Sequence, residues 1–201
     1  MTSAIEPPTG DEIHVWRVAL AGGGRAAARA ALGELLAACL GTAEPPALTV
    51  DPRGKPRLVE GAAAGGTESG AGGGAPISFN LSHSGELALI AVAAGRVEVG
   101  VDVERLRPRR DPARLAARWL PAADAEAVAR ASEADREAIF HRAWTRHEAR
   151  VKCTGAGLSG PPPPESVVAR RLEVGPGYAG AVAFDLGAAA GREPRITLRD
   201  R

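Results

Sequence analysis

Leu87-Ala88-Leu89-Ile90-Ala91-Val92-Ala93-Ala94-Gly95-Arg96-Val97-Glu98-Val99-Gly100-Val101-Asp102-Val103-Glu104 holds the two most apolar runs of the 201-residue chain. Leu87 to Ala93 carries no polar side chain, which is the pattern of a strand covered on both faces. Ala94-Gly95-Arg96 is turn chemistry, and Val97 to Val103 follows as a second run rich in β-branched residues. Together they predict neighbouring strands at the buried centre of a sheet. In the second run, a period of two places Asp102 and Glu104 on one face and Val101 and Val103 on the other.

Outward from this pair, Ile77 to Leu81 reads as a short strand and Ser82-His83-Ser84-Gly85 as a turn. Upstream, Ile13 to Leu20 alternates apolar and polar residues, as a half-buried strand does. From Arg25 to Leu40, Ala28, Leu32, Leu35, Leu36, Cys39 and Leu40 recur at helical spacing, with Gly41 as a stop. Asp51-Pro52-Arg53-Gly54 predicts a hairpin-like turn, and the glycine-rich residues 61–76 an exposed loop. Downstream, helices are expected over Pro112 to Arg118, Pro121 to Ala131 and about Glu133 to Cys153, then strands over Val167 to Val174, Ala179 to Asp185 and Arg195 to Leu198. The order predicts an α+β chain of two similar lobes, divided as residues 1–99 and 100–201.

Composition narrows the function. A chain of 201 residues excludes solenoids and multidomain synthases. No apolar run approaches the roughly 20 residues of a membrane-spanning helix, and the opening MTSAIEPPTGDE lacks the pattern of a signal peptide, so a soluble, cytoplasmic protein is expected. A net charge of +1 gives no electrostatic case for nucleic acid or membrane binding. Cys39 and Cys153 stand apart and are expected to be reduced and structural. Of 25 basic residues, only Lys55 and Lys152 are lysines. A lysine offers a compact point charge where arginine offers a wide planar fork.

Asp102 and Glu104 side by side repel. They read either as a solvated strand face or as ligands for a hard divalent cation that relieves the repulsion. Glu148 and Lys152 are four apart on one helix face, which is an ordinary stabilising pair, or the completion of a magnesium site with a cation beside it for phosphate. Ser82, His83 and Ser84 supply small donors, and Gly54-Lys55-Pro56 a close backbone approach with one cation. Gly22 to Gly24 lacks the spacing and the Lys-Ser/Thr of a phosphate loop and reads as a flexible entry to the helix.

In order, Arg53-Gly54-Lys55-Pro56, Phe79-Asn80-Leu81-Ser82-His83-Ser84-Gly85, Gly100-Val101-Asp102-Val103-Glu104, and Trp144 through His147-Glu148-Ala149 and Lys152 to Gly155, Gly157 and Leu158 resemble the 4'-phosphopantetheinyl transferases of the longer, pseudodimeric class that activates surfactin synthetase. The resemblance implies coenzyme A in a cleft between two α+β lobes. It also implies transfer of its phosphopantetheine arm to a serine of an acyl or peptidyl carrier protein of fatty-acid, polyketide or nonribosomal peptide synthesis, releasing 3',5'-ADP. By that carry-over Asp102, Glu104 and Glu148 hold magnesium on the diphosphate, with Asp102 and Lys152 also at the coenzyme. Lys152 stabilises phosphoryl charge, and Glu148, Lys152 and Asp124 are the catalytic set. Gly54, Lys55 and Pro56 lie along the adenine, Arg53 also binds the coenzyme, and Arg29, Ser82 and His83 serve the 3'-phosphate. A monomer is expected, because both sides of the cleft come from one chain.

Three positions depart from the family pattern. His147 replaces a lysine, Asp124 replaces a longer glutamate, and Ala21-Gly22-Gly23-Gly24 stands where a basic helix is usual. These departures keep open a catalytically silent relative that binds coenzyme A or a carrier, and the same carboxylates on a soluble phosphoester would make a metal-dependent phosphohydrolase.

Overall fold

The computed structural model describes residues 5–52, 54–59, 77–95, 97–189 and 191–201. Arg53 and the glycine-rich segment 61–76 lie outside the described residues. Nine strands and four helices run in the order β1 (Glu12–Ala19), α1 (Gly24–Leu40), β2 (Leu48–Val50), β3 (Pro56–Leu58), β4 (Ile77–Ser84), β5 (Leu87–Ala94), β6 (Val99–Arg105), α2 (Pro112–Trp119), α3 (Ala122–Arg130), α4 (Glu133–Thr154), β7 (Val167–Leu172), β8 (Tyr178–Asp185) and β9 (Arg195–Asp200) among these residues. None of the described helices is long and apolar enough to cross a membrane.

The strands form a four-stranded sheet, β4-β5-β1-β9, a three-stranded sheet, β6-β8-β7, and the β2–β3 hairpin. Period-two alternation explains how the two main sheets stack. On β5, Ala88, Ile90 and Val92 pack with Leu32, Leu35 and Leu36 of α1, whereas Leu89, Ala91 and Ala93 pack with Val99, Val101, Val103, Val182 and Phe184 of the second sheet. The apolar run of β5 is continuous because both its faces are covered. On β8, Ala181 and Ala183 turn away from the sheet interface and meet Ala149 and Cys153 of α4. The layers are therefore α1, first sheet, second sheet, α4. Helices α2 and α3 pack against α4 through Ala116, Leu120, Val128, Phe140 and Ala143.

The sequence reading needs three corrections. β5 and β6 are not partners in one sheet: β5 bonds β4 and β1, and β6 bonds β8. Two consecutive apolar runs reveal burial on both faces but cannot distinguish pairing from stacking. Residues Ser82 to Ser84 are not a turn. β4 continues to Ser84, which pairs with Leu87, and the chain reverses at Gly85 and Glu86. Finally, β9 returns to lie parallel to β1, with Ile13 opposite Ile196. The two sheets are thus not the two halves of the sequence.

Candidate active site

The site begins where β6 passes under α4. A Cβ on Gly100 would stand 2.2 Å from the Ala149 carbonyl oxygen and 2.3 Å from the Cys153 nitrogen, so only glycine permits this approach. Asp102 and Glu104 lie on the same strand face as Gly100, opposite the buried valines, and α4 presents Glu148 and Lys152 to the same cleft. Helix spacing and strand spacing thereby bring together four residues from two separated motifs.

Asp102 is only 3% exposed. Its Oδ1 accepts hydrogen bonds from Lys152 Nζ at 2.6 Å and Ser82 Oγ at 2.8 Å, and Lys152 Nζ also donates to Ser82 Oγ at 3.0 Å. Its Oδ2 is buried with no hydrogen-bond partner among the described residues. Glu104 Oε2 accepts from Ser84 Oγ at 3.0 Å, with Arg109 Nη2 at 3.8 Å. Burial pushes the Asp102 carboxyl above the usual carboxylate range against the opposing pull of Lys152 and Ser82. Burial, then the Asp102 charge, push Glu148 upward as well, with Lys152 opposing. This corner of the cleft has more carboxylate than cation, and its donor set is oxygen alone, which suits a hard divalent ion. Among the described residues, however, no three carboxylate, imidazole or thiol side chains are gathered as a metal cluster. The three acids line one cleft, and the charges of Asp102 and Glu104 both act on Glu148.

The cleft encloses about 820 Å³. It is lined by Arg25 and Arg29 of α1, Phe79 to His83 of β4, residues of the β2–β3 hairpin and Leu158. The hairpin turns at Gly54, whose φ of +85° favours glycine. Lys55 lines the cleft, yet its ammonium points into the protein. Nζ donates to Glu98 Oε2 at 2.6 Å, to the Val99 carbonyl at 3.0 Å and to the Cys153 carbonyl at 2.9 Å. Arg57 Nη1 holds the other Glu98 oxygen at 2.5 Å. The expected cation beside the coenzyme is therefore a tether between the hairpin, the start of β6 and the C-terminus of α4. Three acceptors converging on one point explain a lysine in an arginine-rich chain.

Arg29, Ser82 and His83 all line the cleft, and the Ser82 hydroxyl donates to Asp102 and accepts from Lys152. Asp124 is not among the cleft residues. It lines a separate hollow of about 340 Å³ with His147 and Arg150, and its carboxylate is bonded by Arg146 Nη2 at 2.6 Å. Burial, then Arg150, lower the basicity of His147, with Asp124 opposing. The Cys153 thiol donates to the Glu98 carbonyl, and burial pushes it up to about 12; burial likewise pushes Cys39 up to about 11. Both cysteines are unpaired, as expected.

Sequence reasoning missed a seam between the sheets. Ser78, Asn80, Ser82 and Ser84 alternate along β4 and all reach β6. The Val99 amide donates to Ser78 Oγ, the Val101 amide to Asn80 Oδ1, and the Arg105 amide to Ser84 Oγ. The polar alternation S-x-N-x-S-x-S was the signal, and it was obscured by reading its second half as a turn.

Residues 98–193 match the family model described as the 4'-phosphopantetheinyl transferase superfamily. The chain is 38% identical over 135 residues to the 4'-phosphopantetheinyl transferase HetI of Nostoc sp., a match covering 66% of this chain and 52% of that protein. It is 44% identical over 84 residues to the 4'-phosphopantetheinyl transferase AcpT of Salmonella typhi, covering 41% and 42%. Against the 4'-phosphopantetheinyl transferase psf-1 of Bacillus pumilus it is 37% identical over 81 residues, covering 40% and 33%. The chain thus spans about half the length of the first of these relatives and less of the others.

Proposed function

We propose, for a chain whose residues 98–193 match the 4'-phosphopantetheinyl transferase superfamily, that it moves the 4'-phosphopantetheine arm of coenzyme A to a serine hydroxyl of an acyl or peptidyl carrier protein, releasing 3',5'-ADP. The observation that carries the reading is the joining of Asp102, Glu104, Glu148 and Lys152 in one cleft, beside the hairpin turn and His83. The helix-on-sheet layer at each side of that cleft is read as one lobe of the longer, pseudodimeric class.

In this reading Asp102, Glu104 and Glu148 hold magnesium, with the partnerless Asp102 Oδ2 as one ligand; the ion, when bound, neutralises charge on the diphosphate. Lys152, fixed by Asp102 and Ser82, aims its ammonium at the phosphoryl oxygens where charge develops. The reaction breaks the bond between the β-phosphorus and the oxygen bridging the diphosphate, forms one from that phosphorus to the serine oxygen, and releases the serine proton to solvent, the bridging oxygen leaving with 3',5'-ADP. The hairpin backbone at Gly54 and Pro56 lies along the adenine, and His83 with Arg25 and Arg29 faces the 3'-phosphate. Asp124, paired with Arg146 outside the cleft, receives no proton-transfer role. The same chemistry gives a cytoplasmic enzyme serving fatty-acid, polyketide or nonribosomal peptide carriers.

Intact-mass analysis of a panel of apo-carrier proteins incubated with the protein, coenzyme A and magnesium tests this. At least one carrier gains the mass of one phosphopantetheine. A second reading, binding of coenzyme A or a carrier without turnover, is favoured by His147, Asp124 and Ala21-Gly22-Gly23-Gly24, which depart from the family pattern. Saturable coenzyme A binding with no adduct on any carrier would establish that second reading instead.

A further inference from the structure

Two strands with the same period of two face each other across the seam, and their polar residues are in step. On β6 the acids are Asp102 and Glu104; on β4 the hydroxyls are Ser82 and Ser84. Ser82 Oγ donates to Asp102 Oδ1 at 2.8 Å, and Ser84 Oγ donates to Glu104 Oε2 at 3.0 Å. Each acid therefore receives one hydroxyl from the opposite sheet, at the same offset of 20 residues.

We infer that Ser82 and Ser84 are positioning residues for a divalent-cation site, each fixing the rotamer of one carboxylate so that its remaining oxygen is presented to the ion. The inference rests on the magnesium reading of the cleft and goes beyond it by assigning the layer behind the acids. Asp102 shows the consequence. With Oδ1 occupied by Ser82 and Lys152, Oδ2 is left buried and without a partner among the described residues. A buried carboxylate oxygen without a donor is costly unless a cation takes it. For Glu104, Ser84 holds Oε2 and leaves the other oxygen outside that bond, while the Arg105 amide donates to the same Ser84 hydroxyl and sets its direction.

The ladder itself supplies the control. Ser78 belongs to the same seam, accepting from the Val99 amide at 3.2 Å and lying 3.4 Å from Glu98, but it touches neither Asp102 nor Glu104. Loss of Ser78 reports loosening of the seam alone. Loss of Ser82 or Ser84 reports loosening plus release of one carboxylate. Groups that orient metal ligands from behind change metal affinity by about 10–100-fold when removed.

The test is a Mn2+ titration of the full chain, followed by the electron paramagnetic resonance signal of the free ion, in the parent and in Ser78→Ala, Ser82→Ala, Ser84→Ala, Ser84→Thr and Asp102→Asn. Ser82→Ala and Ser84→Ala are expected to weaken Mn2+ binding by about 10-fold or more. Ser78→Ala stays within about twofold, and Ser84→Thr, which keeps the hydroxyl, restores parental affinity. In turnover, the magnesium concentration giving half-maximal rate rises in Ser82→Ala and Ser84→Ala. For Ser84→Ala the rate at saturating magnesium stays near parental, a split that general destabilisation does not produce. If the parent binds Mn2+ through Asp102 but the two alanine variants bind it as Ser78→Ala does, the positioning role is overturned and the magnesium reading stands. If the parent does not bind Mn2+, or Asp102→Asn binds it equally well, the metal reading fails and this inference with it.

Discussion

Gly100→Ala strikes the point where fold and site meet. The added Cβ would lie 2.2 Å from the Ala149 oxygen, 2.3 Å from the Cys153 nitrogen and 2.9 Å from the Cys153 Cα, against an ordinary contact of 3.4–4 Å. All three are backbone atoms, so no rotamer change relieves the clash, and α4 must part from β6 by about 1 Å. Overpacking of a tight interior costs about 1–3 kcal/mol, and a rigid helix against a central strand belongs at the upper end. A loss of about 3 kcal/mol corresponds to roughly 6–12 °C in Tm for a chain of this size. The same movement acts on the 2.6 Å bond between Lys152 and Asp102, lengthening it to about 3.6 Å, beyond hydrogen-bonding reach. Urea unfolding followed by the fluorescence of Trp16, Trp119 and Trp144, together with carrier-modification rates on the folded variant, measures both effects. A midpoint within about 0.5 kcal/mol of the parent, with transfer unchanged, would refute the close approach as the device that assembles the site.

Three more outcomes are expected. Lys55→Met strands the Val99 and Cys153 carbonyls and lowers stability by about 2–4 kcal/mol in urea unfolding, and Lys55→Arg is also damaging because a guanidinium cannot converge on the same point; an unchanged midpoint in Lys55→Met would show that the tether carries no stability. Asp102→Asn keeps the shape but removes a charge that burial already opposes, so transfer falls by about 10²-fold or more while the unfolding midpoint stays within roughly 1 kcal/mol of parental; near-normal turnover at limiting magnesium would remove Asp102 from the ligand set. Burial opposes the charge of Glu98, but Arg57 and Lys55 outweigh it and hold the carboxyl below its ordinary value. The stability it contributes is present above the unfolded carboxylate value and is lost as pH falls through the folded one. Unfolding midpoints taken between about pH 6 and pH 3 therefore decline less steeply in Glu98→Gln than in the parent, and equal slopes would contradict the linkage.

Much of this architecture was legible because periodicity is a local property. The helical spacing of Ala28, Leu32, Leu35 and Leu36 marks the face of α1 that meets the first sheet, and the alternation in Val101-Asp102-Val103-Glu104 separates core from cleft. What escaped was relational. Nothing within Leu87 to Val103 distinguishes two paired strands from two stacked ones, because a strand buried on both faces looks the same in either arrangement. Ser82 and Ser84 read as turn residues because small polar side chains favour turns, and the 3'-phosphate role of Ser82 comes from the family resemblance alone. Their actual partners lie 20 residues away on another sheet. Lys55 stands out by scarcity and by the Gly54-Lys55-Pro56 motif, but its acceptors, Glu98, Val99 and Cys153, come from two places in the chain that only the folded structure unites. Asp124 was carried over on a motif, and its ion pair with Arg146 depends on how α3 packs on α4.

The most direct measurement follows both products of one reaction: the 3',5'-ADP released from coenzyme A and the phosphopantetheine gained by an apo-carrier protein, in magnesium, with parent and Asp102→Asn side by side. Phosphoryl transfer in the Asp102, Glu104, Glu148 and Lys152 cleft predicts equal amounts of the two products, dependent on the carrier's serine, and loss of both together in Asp102→Asn. Coenzyme A cleavage without carrier modification, or transfer that proceeds undiminished in Asp102→Asn, would contradict it.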